Sequence, residues 1–200
     1  MVRIAVAEDE REFRDTCAGF IRRYCEENGV QAEVTVFEDG MDLLDCQEEK
    51  GEIWDILFRQ NKSTGWTKED RARLSYAATS AGIAIDYTGT GFPHPLGYCL
   101  TLTRGIPHGE ACAVFEGAFL TYNRLTDAGT VRTDRLAEAL GTTVEEMIER
   151  IPEKSGIHLS IDPEEREALI DRVSGAGNYA NSPYVISRGE MSDIFKRLFG

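Results

Sequence analysis

The 200-residue sequence contains no CxxC pair, no long uninterrupted apolar run and only three histidines, and it is short of positive charge. Each shortage removes a class of function. Its cysteines, Cys17, Cys25, Cys46, Cys99 and Cys112, are odd in number, which argues against both a zinc ribbon and a disulfide framework. Reduced thiols in a cytoplasmic protein are the expectation. Lys and Arg total 22 against 35 Asp and Glu, a net charge of −13 that opposes attraction to phosphate backbones and anionic bilayers. No direct nucleic-acid partner is expected. The opening MVRIAVAEDE turns acidic by residue 8, so neither a signal peptide nor a membrane span is predicted.

What is present suffices for a globular core: 42% of residues are hydrophobic, enough for one large domain or two small ones. Residues 2–7 form a short apolar run that ends in Glu8-Asp9-Glu10. A helical pattern follows, with Phe13, Cys17, Phe20, Ile21 and Tyr24 on one face. Asn28-Gly29 closes that helix, and Ala32, Val34 and Val36 alternate with Glu33 and Thr35 as in a half-buried strand. Asp39-Gly40 turns the chain toward a short helix around Leu43 and Leu44, and residues 53–58, IWDILF, read as a third buried strand. This β-α-β-α-β order predicts three parallel strands and two helices joined by crossovers.

Strand, acidic pair and helix resemble the start of a response-regulator receiver domain, a flavodoxin-like α/β arrangement. In that family the acidic pair holds Mg²⁺ while phosphate moves onto an aspartate at the end of the third strand. The resemblance places Glu8 and Asp9 at the Mg²⁺ position. The acceptor position departs from the pattern, because Asp55-Ile56-Leu57-Phe58-Arg59 is followed by the amide Gln60. The helix-start reading of the three acids is favourable interaction with the macrodipole.

The period-two signal disappears after Arg59, and RQNKSTG forms a polar junction over residues 59–68. From Trp66 onward the pattern is helical, with five or six helices and no convincing strand. Residues 67–85 carry Leu74, Ala77, Ala78, Ala81, Ile83 and Ile85, and YTGTGFPHPLG over residues 87–97 reads as a Gly/Pro-rich loop. Pro107 stands at a helix start, with Ala111, Val114, Phe115, Ala118 and Phe119 spaced for burial. Thr143 with Glu146 and Ser187 with Glu190 read as capping boxes, and Asp162-Pro163 as an N-cap with proline in the first turn.

The stretch ARLSYAATSAGIAIDYTGTGFPHPLGYCLTLTRGIPHGEACAVF, together with the closing NSPYVISRGEMSDIFKRLF, resembles the C-terminal half of iron-containing alcohol dehydrogenases. In that family one aspartate and three histidines bind the catalytic metal. The resemblance implies that His94 and His108, 108 − 94 = 14 residues apart, are two of those ligands, with Fe²⁺ or Zn²⁺ between them. It also implies an oxidoreductase that interconverts a small alcohol and aldehyde with NAD(P).

Neither the helix bearing the other two ligands nor a glycine-rich dinucleotide loop is recognisable, so no catalytic or cofactor-binding residue is assigned. Tyr98 takes a place where many family members carry a further histidine near the nicotinamide. Glu110, Asp86 and His158 read as a helix-start acid, a loop cap and a polar loop residue.

The expectation is therefore a truncated receiver-like α/β segment over 1–58 and a junction over 59–68. An all-α alcohol dehydrogenase-like metal-binding domain follows over 69–200. Activity of the chain alone is in question. A phosphorelay module and a non-functional fusion of two incomplete domains stand as alternatives, with self-association expected from unpaired edges and apolar surface.

Overall fold

The computed structural model describes residues 2–7, 11–37, 52–59 and 65–200. The chain divides into two compact units, Met1–Lys50 and Gly51–Gly200. Among the described residues no helix is long and apolar enough to cross a membrane.

In the first unit, strand β1 (Val2–Ala7), helix α1 (Arg11–Glu27) and strand β2 (Ala32–Phe37) follow in order. The strands pair in parallel, from Val2 opposite Ala32 to Ala7 opposite Phe37. A parallel pair needs a crossover connection, which α1 provides. The helix packs against both strands and buries Arg14, Ala18 and Cys25. Its face is turned from the expected one: Phe20 and Tyr24 are 63% and 64% exposed, while Cys17 and Ile21 are half-buried. Ala18, with only a methyl group, lets the helix axis lie close to the strands, and the Arg22 guanidinium then reaches the Val34 carbonyl at 3.2 Å. The short helix expected around Leu43 and Leu44 lies outside the described residues.

The third parallel strand expected at residues 53–58 does not form. Glu52–Trp54 is helical (α2), and Asp55–Arg59 continues it as one π-helical turn. A six-residue apolar run is compatible with either a buried strand or a buried helix, because periodicity alone does not separate them. Burial decides it: Trp54 and Phe58, four residues apart, bring their rings to one helix face with centroids 4.1 Å apart. There Trp54 joins Leu120, Ala137, Val144 and Met147 in a core cluster of the second unit. Arg150 lies over the Phe58 ring at 5.1 Å and donates to the Phe58 carbonyl, which holds the segment by cation–π attraction as well as burial.

The second unit continues with α3 (Lys68–Thr88), α4 (Pro93–Arg104), α5 (His108–Asn123), α6 (Asp127–Ala139) and α7 (Val144–Lys154). It closes with α8 (Pro163–Val173), a 3₁₀ turn (Gly177–Asn181) and α9 (Arg188–Phe199). Seven α-helices thus follow residue 66 among the described residues, rather than five or six. Two of these, α4 and α6, are not among the helix starts named from the sequence; that of α4 is concealed in the Gly/Pro-rich stretch. Pro93 and Pro95 both sit in its first turn, where backbone N–H groups have no intrahelical acceptor and proline costs nothing in hydrogen bonding.

Helix caps follow the side chains that precede each start. Ser187 and Glu190 form the reciprocal box at α9, as do Thr67 and Asp70 at α3. Thr143 accepts from the Glu146 amide at 3.1 Å, but the Glu146 carboxylate turns to the Thr142 hydroxyl at 2.6 Å and to Arg150, so only half of that box forms. Asp162 accepts from the amides of Glu164 and Glu165 and starts α8.

Helix α5 is the axis of this unit, packed on α4 along one side and α7 along the other. Phe92, Leu96 and Leu100 meet Val114, Phe115 and Ala118 of α5, Ile170 of α8, and Phe195 and Phe199 of α9 in the main core. Each such aromatic or leucine side chain contributes about 1.5–3 kcal/mol by leaving water. The rigidity of α5 follows from this enclosure, and its N-terminal turn inherits it.

Candidate metal centre

Two helix starts converge here. Helix α4 presents His94 in its first turn and Tyr98 one turn later, and α5 presents His108 as its first residue and Cys112 one turn later. Residues four apart lie on one helical face, so each helix aims a pair of side chains in one direction. The connection is short: Gly105 adopts φ +67° and its amide bonds the Thr101 carbonyl at 3.1 Å, a left-handed cap that reverses the chain before Pro107.

The helices also need close contact, which Gly97 permits. A Cβ on Gly97 would stand 3.0 Å from Cys112 Sγ and 3.1 Å from the Ala111 backbone, so α4 lies on α5 with no side chain between them at that level. The absent side chain is what brings the histidines together. The rings of His94 and His108 are 5.1 Å apart and nearly perpendicular. Tyr98 stacks on His108 at 4.6 Å with an interplanar angle of 9°, and meets His94 edge-on at 6.2 Å. Tyr98 therefore orients both imidazoles while remaining 45% exposed.

Sequence reasoning did not single out Cys112. Its Sγ lies 3.6 Å from Nε2 and 3.8 Å from Nδ1 of His108. One donor atom from each of His94, His108 and Cys112 falls within 4.8 Å of the others. The signal available in the sequence was the His-x-x-x-Cys spacing behind a proline at a helix start.

Burial holds the His94 imidazole below its ordinary pKa, and the neighbouring His108 adds to the effect, so His94 favours the neutral form that donates a lone pair. The Cys112 thiol is pushed up to about 11, by burial first and by Glu116 second. Glu116, one further turn along α5, is itself pushed up to about 7 by burial.

The remaining candidates are placed apart from this cluster. His158 is exposed between α7 and α8, Glu110 is exposed in the first turn of α5, and Asp86 is exposed within α3 rather than in a loop. Glu8 and Asp9 lie outside the described residues.

Residues 57–199 match the Fe-containing alcohol dehydrogenase family, C-terminal. The chain belongs to that family.

Among curated relatives, phosphonoacetaldehyde reductase of Streptomyces viridochromogenes is 42% identical over 59 residues, 30% of this chain and 15% of that protein. The iron-containing alcohol dehydrogenase of Thermotoga maritima superposes with TM-score 0.56 at 24% identity, covering 67% of this chain and 36% of that one. Sulfoacetaldehyde reductase of Bifidobacterium kashiwanohense, solved with NAD⁺, gives TM-score 0.46 at 25% identity over 55% of this chain and 31% of that one. The chain thus spans about a third of the length of the solved relatives and less of the curated one.

Two groups tied to the family can be tested against the residues present. Two imidazoles and a thiol suit Fe²⁺ or Zn²⁺, so the donor set fits a metal of that kind. Among the described residues there is no strand, glycine-rich loop and helix to cradle a pyrophosphate, and β1 runs in sequence into Glu8-Asp9-Glu10, whose charges repel one.

Proposed function

We propose that this chain is the helical, metal-binding half of an oxidoreductase that interconverts a small aldehyde and its alcohol, with His94 and His108 as metal ligands. The observation that carries the reading is the convergence of the two imidazoles, 5.1 Å apart, at the joined ends of α4 and α5. Family membership over residues 57–199 supports the reaction class. The similarity to the Streptomyces phosphonoacetaldehyde reductase supports an aldehyde as substrate.

When bound, the metal supplies Lewis-acid polarisation of the substrate oxygen. This chain's residues do the rest of the local work. His94, kept neutral by burial, offers its lone pair without first losing a proton. Tyr98 fixes the His108 ring by stacking, so little rotamer freedom is lost on binding. Phe92, Leu96 and Phe115 anchor the adjoining turns of α4 and α5 in the main core. The hydride chemistry of NAD(P), which serves the intact family, has no counterpart among the described residues. The reading therefore assigns this chain the metal side of the reaction.

The test is calorimetric titration of Fe²⁺ and of Zn²⁺ into anaerobic, metal-free protein beside His94→Ala and His108→Ala. One metal per chain, lost in both variants, is the expected result. Equal heats from all three proteins would overturn the assignment.

A second reading concerns the first unit alone. The parallel β1-α1-β2 order favours a receiver-like interaction module. With Gln60 at the acceptor position phosphorylation is expected to fail, so labelling by acetyl phosphate that vanishes in Asp9→Asn would support phosphorelay with Mg²⁺ at Glu8 and Asp9, and an unlabelled protein would dismiss it. The exposed Phe20 and Tyr24 of α1 support self-association through this unit.

A further inference from the structure

The family's metal site, as the resemblance describes it, is built from an aspartate and histidines. Here a cysteine stands among the donors. We propose that Cys112 is a direct metal ligand, so that His94, His108 and Cys112 form a three-donor site able to hold a borderline or soft divalent cation within this chain. The inference rests on the reading that the two histidines bind metal, and it adds a residue and a metal preference to that reading.

Three observations on the site point the same way. First, a tetrahedral centre with metal–sulfur and metal–nitrogen bonds of about 2.3 and 2.05 Å sets sulfur and nitrogen about 3.6 Å apart. Cys112 Sγ is 3.6 Å from His108 Nε2. Second, one donor atom from each of the three residues lies within 4.8 Å of the others, and His94 is only half-buried. Third, the absence of a side chain on Gly97 leaves Cys112 Sγ directly against α4, on the side from which His94 projects.

Cys99 is buried too, but its Sγ faces the Leu169 carbonyl at 3.4 Å in the core, away from any imidazole. Cys112 is the buried thiol that shares a face with a histidine, four residues on.

Ligation would proceed by loss of the thiol proton to solvent, with the thiolate sulfur donating an electron pair to the metal beside the two neutral imidazole nitrogens. No oxidant or reductant is involved. Three protein donors leave the fourth tetrahedral position for a substrate or water oxygen, the arrangement of a catalytic rather than a structural site. The thiolate also tilts selection: a His₂Cys set favours Zn²⁺ and Co²⁺ over Mg²⁺ and Ca²⁺, which prefer oxygen donors.

The test is titration of Co²⁺ into the metal-free full chain, followed by absorption spectroscopy and calorimetry, for the wild type, Cys112→Ser and Cys99→Ser. The expected result is a thiolate-to-cobalt charge-transfer band in the wild type and in Cys99→Ser. In Cys112→Ser the band is absent, and affinity falls on the order of 100-fold while binding through the histidines persists weakly. Cobalt bound with normal stoichiometry but no charge-transfer band would overturn the cysteine assignment alone. The contact would then be a thiol–imidazole hydrogen bond, and the histidine reading would survive. Cobalt that fails to bind the wild type at all would overturn both. Should Cys112→Ser not fold, as read by far-ultraviolet circular dichroism, alkylation of Cys112 in the wild type decides: retention of its rate under saturating Zn²⁺ would overturn the proposal, and protection would uphold it.

Discussion

The two units use similar apolar material to different effect. In Gly51–Gly200, α5 buries Val114, Phe115, Ala118 and Leu120 on faces covered by neighbouring helices. In Met1–Lys50, α1 presses Ala18 and Cys25 inward and leaves Phe20 and Tyr24 largely in solvent, beside an open apolar hollow that also takes in Ile4, Ile21 and Val30. The difference teaches that hydrophobic periodicity marks a helix but does not say which stripe finds a partner. A helix with partners on several sides buries most of its apolar positions; one lying on two strands buries only the narrow face that touches them.

Both tryptophans, Trp54 and Trp66, belong to the second unit, so their fluorescence reports on it selectively. The largest expected effect is from Phe115→Ala, which should lower the stability of the second unit by about 3–5 kcal/mol by emptying the middle of its core. Urea unfolding followed by tryptophan fluorescence measures this, and a loss under about 1 kcal/mol would mean that α5 is not the axis of the unit.

Glu116 provides a pH-dependent intermediate effect. Its carboxyl titrates at about 7 in the folded chain against an ordinary 4.5, because burial penalises the charged form. Below about pH 4.5 it is protonated in both states and costs nothing; as pH rises the unfolded chain ionises first, and stability declines until the folded group ionises near 7. In metal-free protein, Glu116→Gln should therefore raise stability at pH 8 by on the order of 2–3 kcal/mol and leave it nearly unchanged at pH 4. A gain of equal size at both pH values would refute the burial argument.

The smallest effect belongs to the first unit. Phe20→Ser should shift stability by no more than about 0.5 kcal/mol, since its ring is already mostly in water. Its consequence should appear instead as weaker self-association in sedimentation at high concentration. Unchanged association would place the sticky surface elsewhere.

Some of this was legible in the sequence. His94 and His108 stood out because the motifs around them, GFPHPLG and PHG, resemble those of iron-containing alcohol dehydrogenases. The helix starts at Asp162 and Ser187 were readable because capping chemistry is local. Tertiary choices were not local. Residues 53–58 read as a strand because six apolar residues say only that the segment is buried; the covering helices 60 or more residues later decided that it would coil. Helix α4 was hidden because proline usually ends helices, and the rule reverses in a first turn. Cys112 escaped because a thiol inside an apolar helical stripe reads as packing, and only the approach of α4 at Gly97 places it beside an imidazole from another helix.

The side chains of the proposed metal centre occupy one uninterrupted stretch of chain, from His94 to Cys112, joined by the tight Gly105-Ile106-Pro107 reversal. Bringing together ends so near in sequence carries little loop-closure entropy, and contacts of short range form early as a chain collapses. This helical hairpin would consequently gather its donors before the distant helices α8 and α9 dock. A cation present during folding would act on the pathway as well as on the finished protein, by stabilising an early two-helix nucleus around which the remaining core condenses.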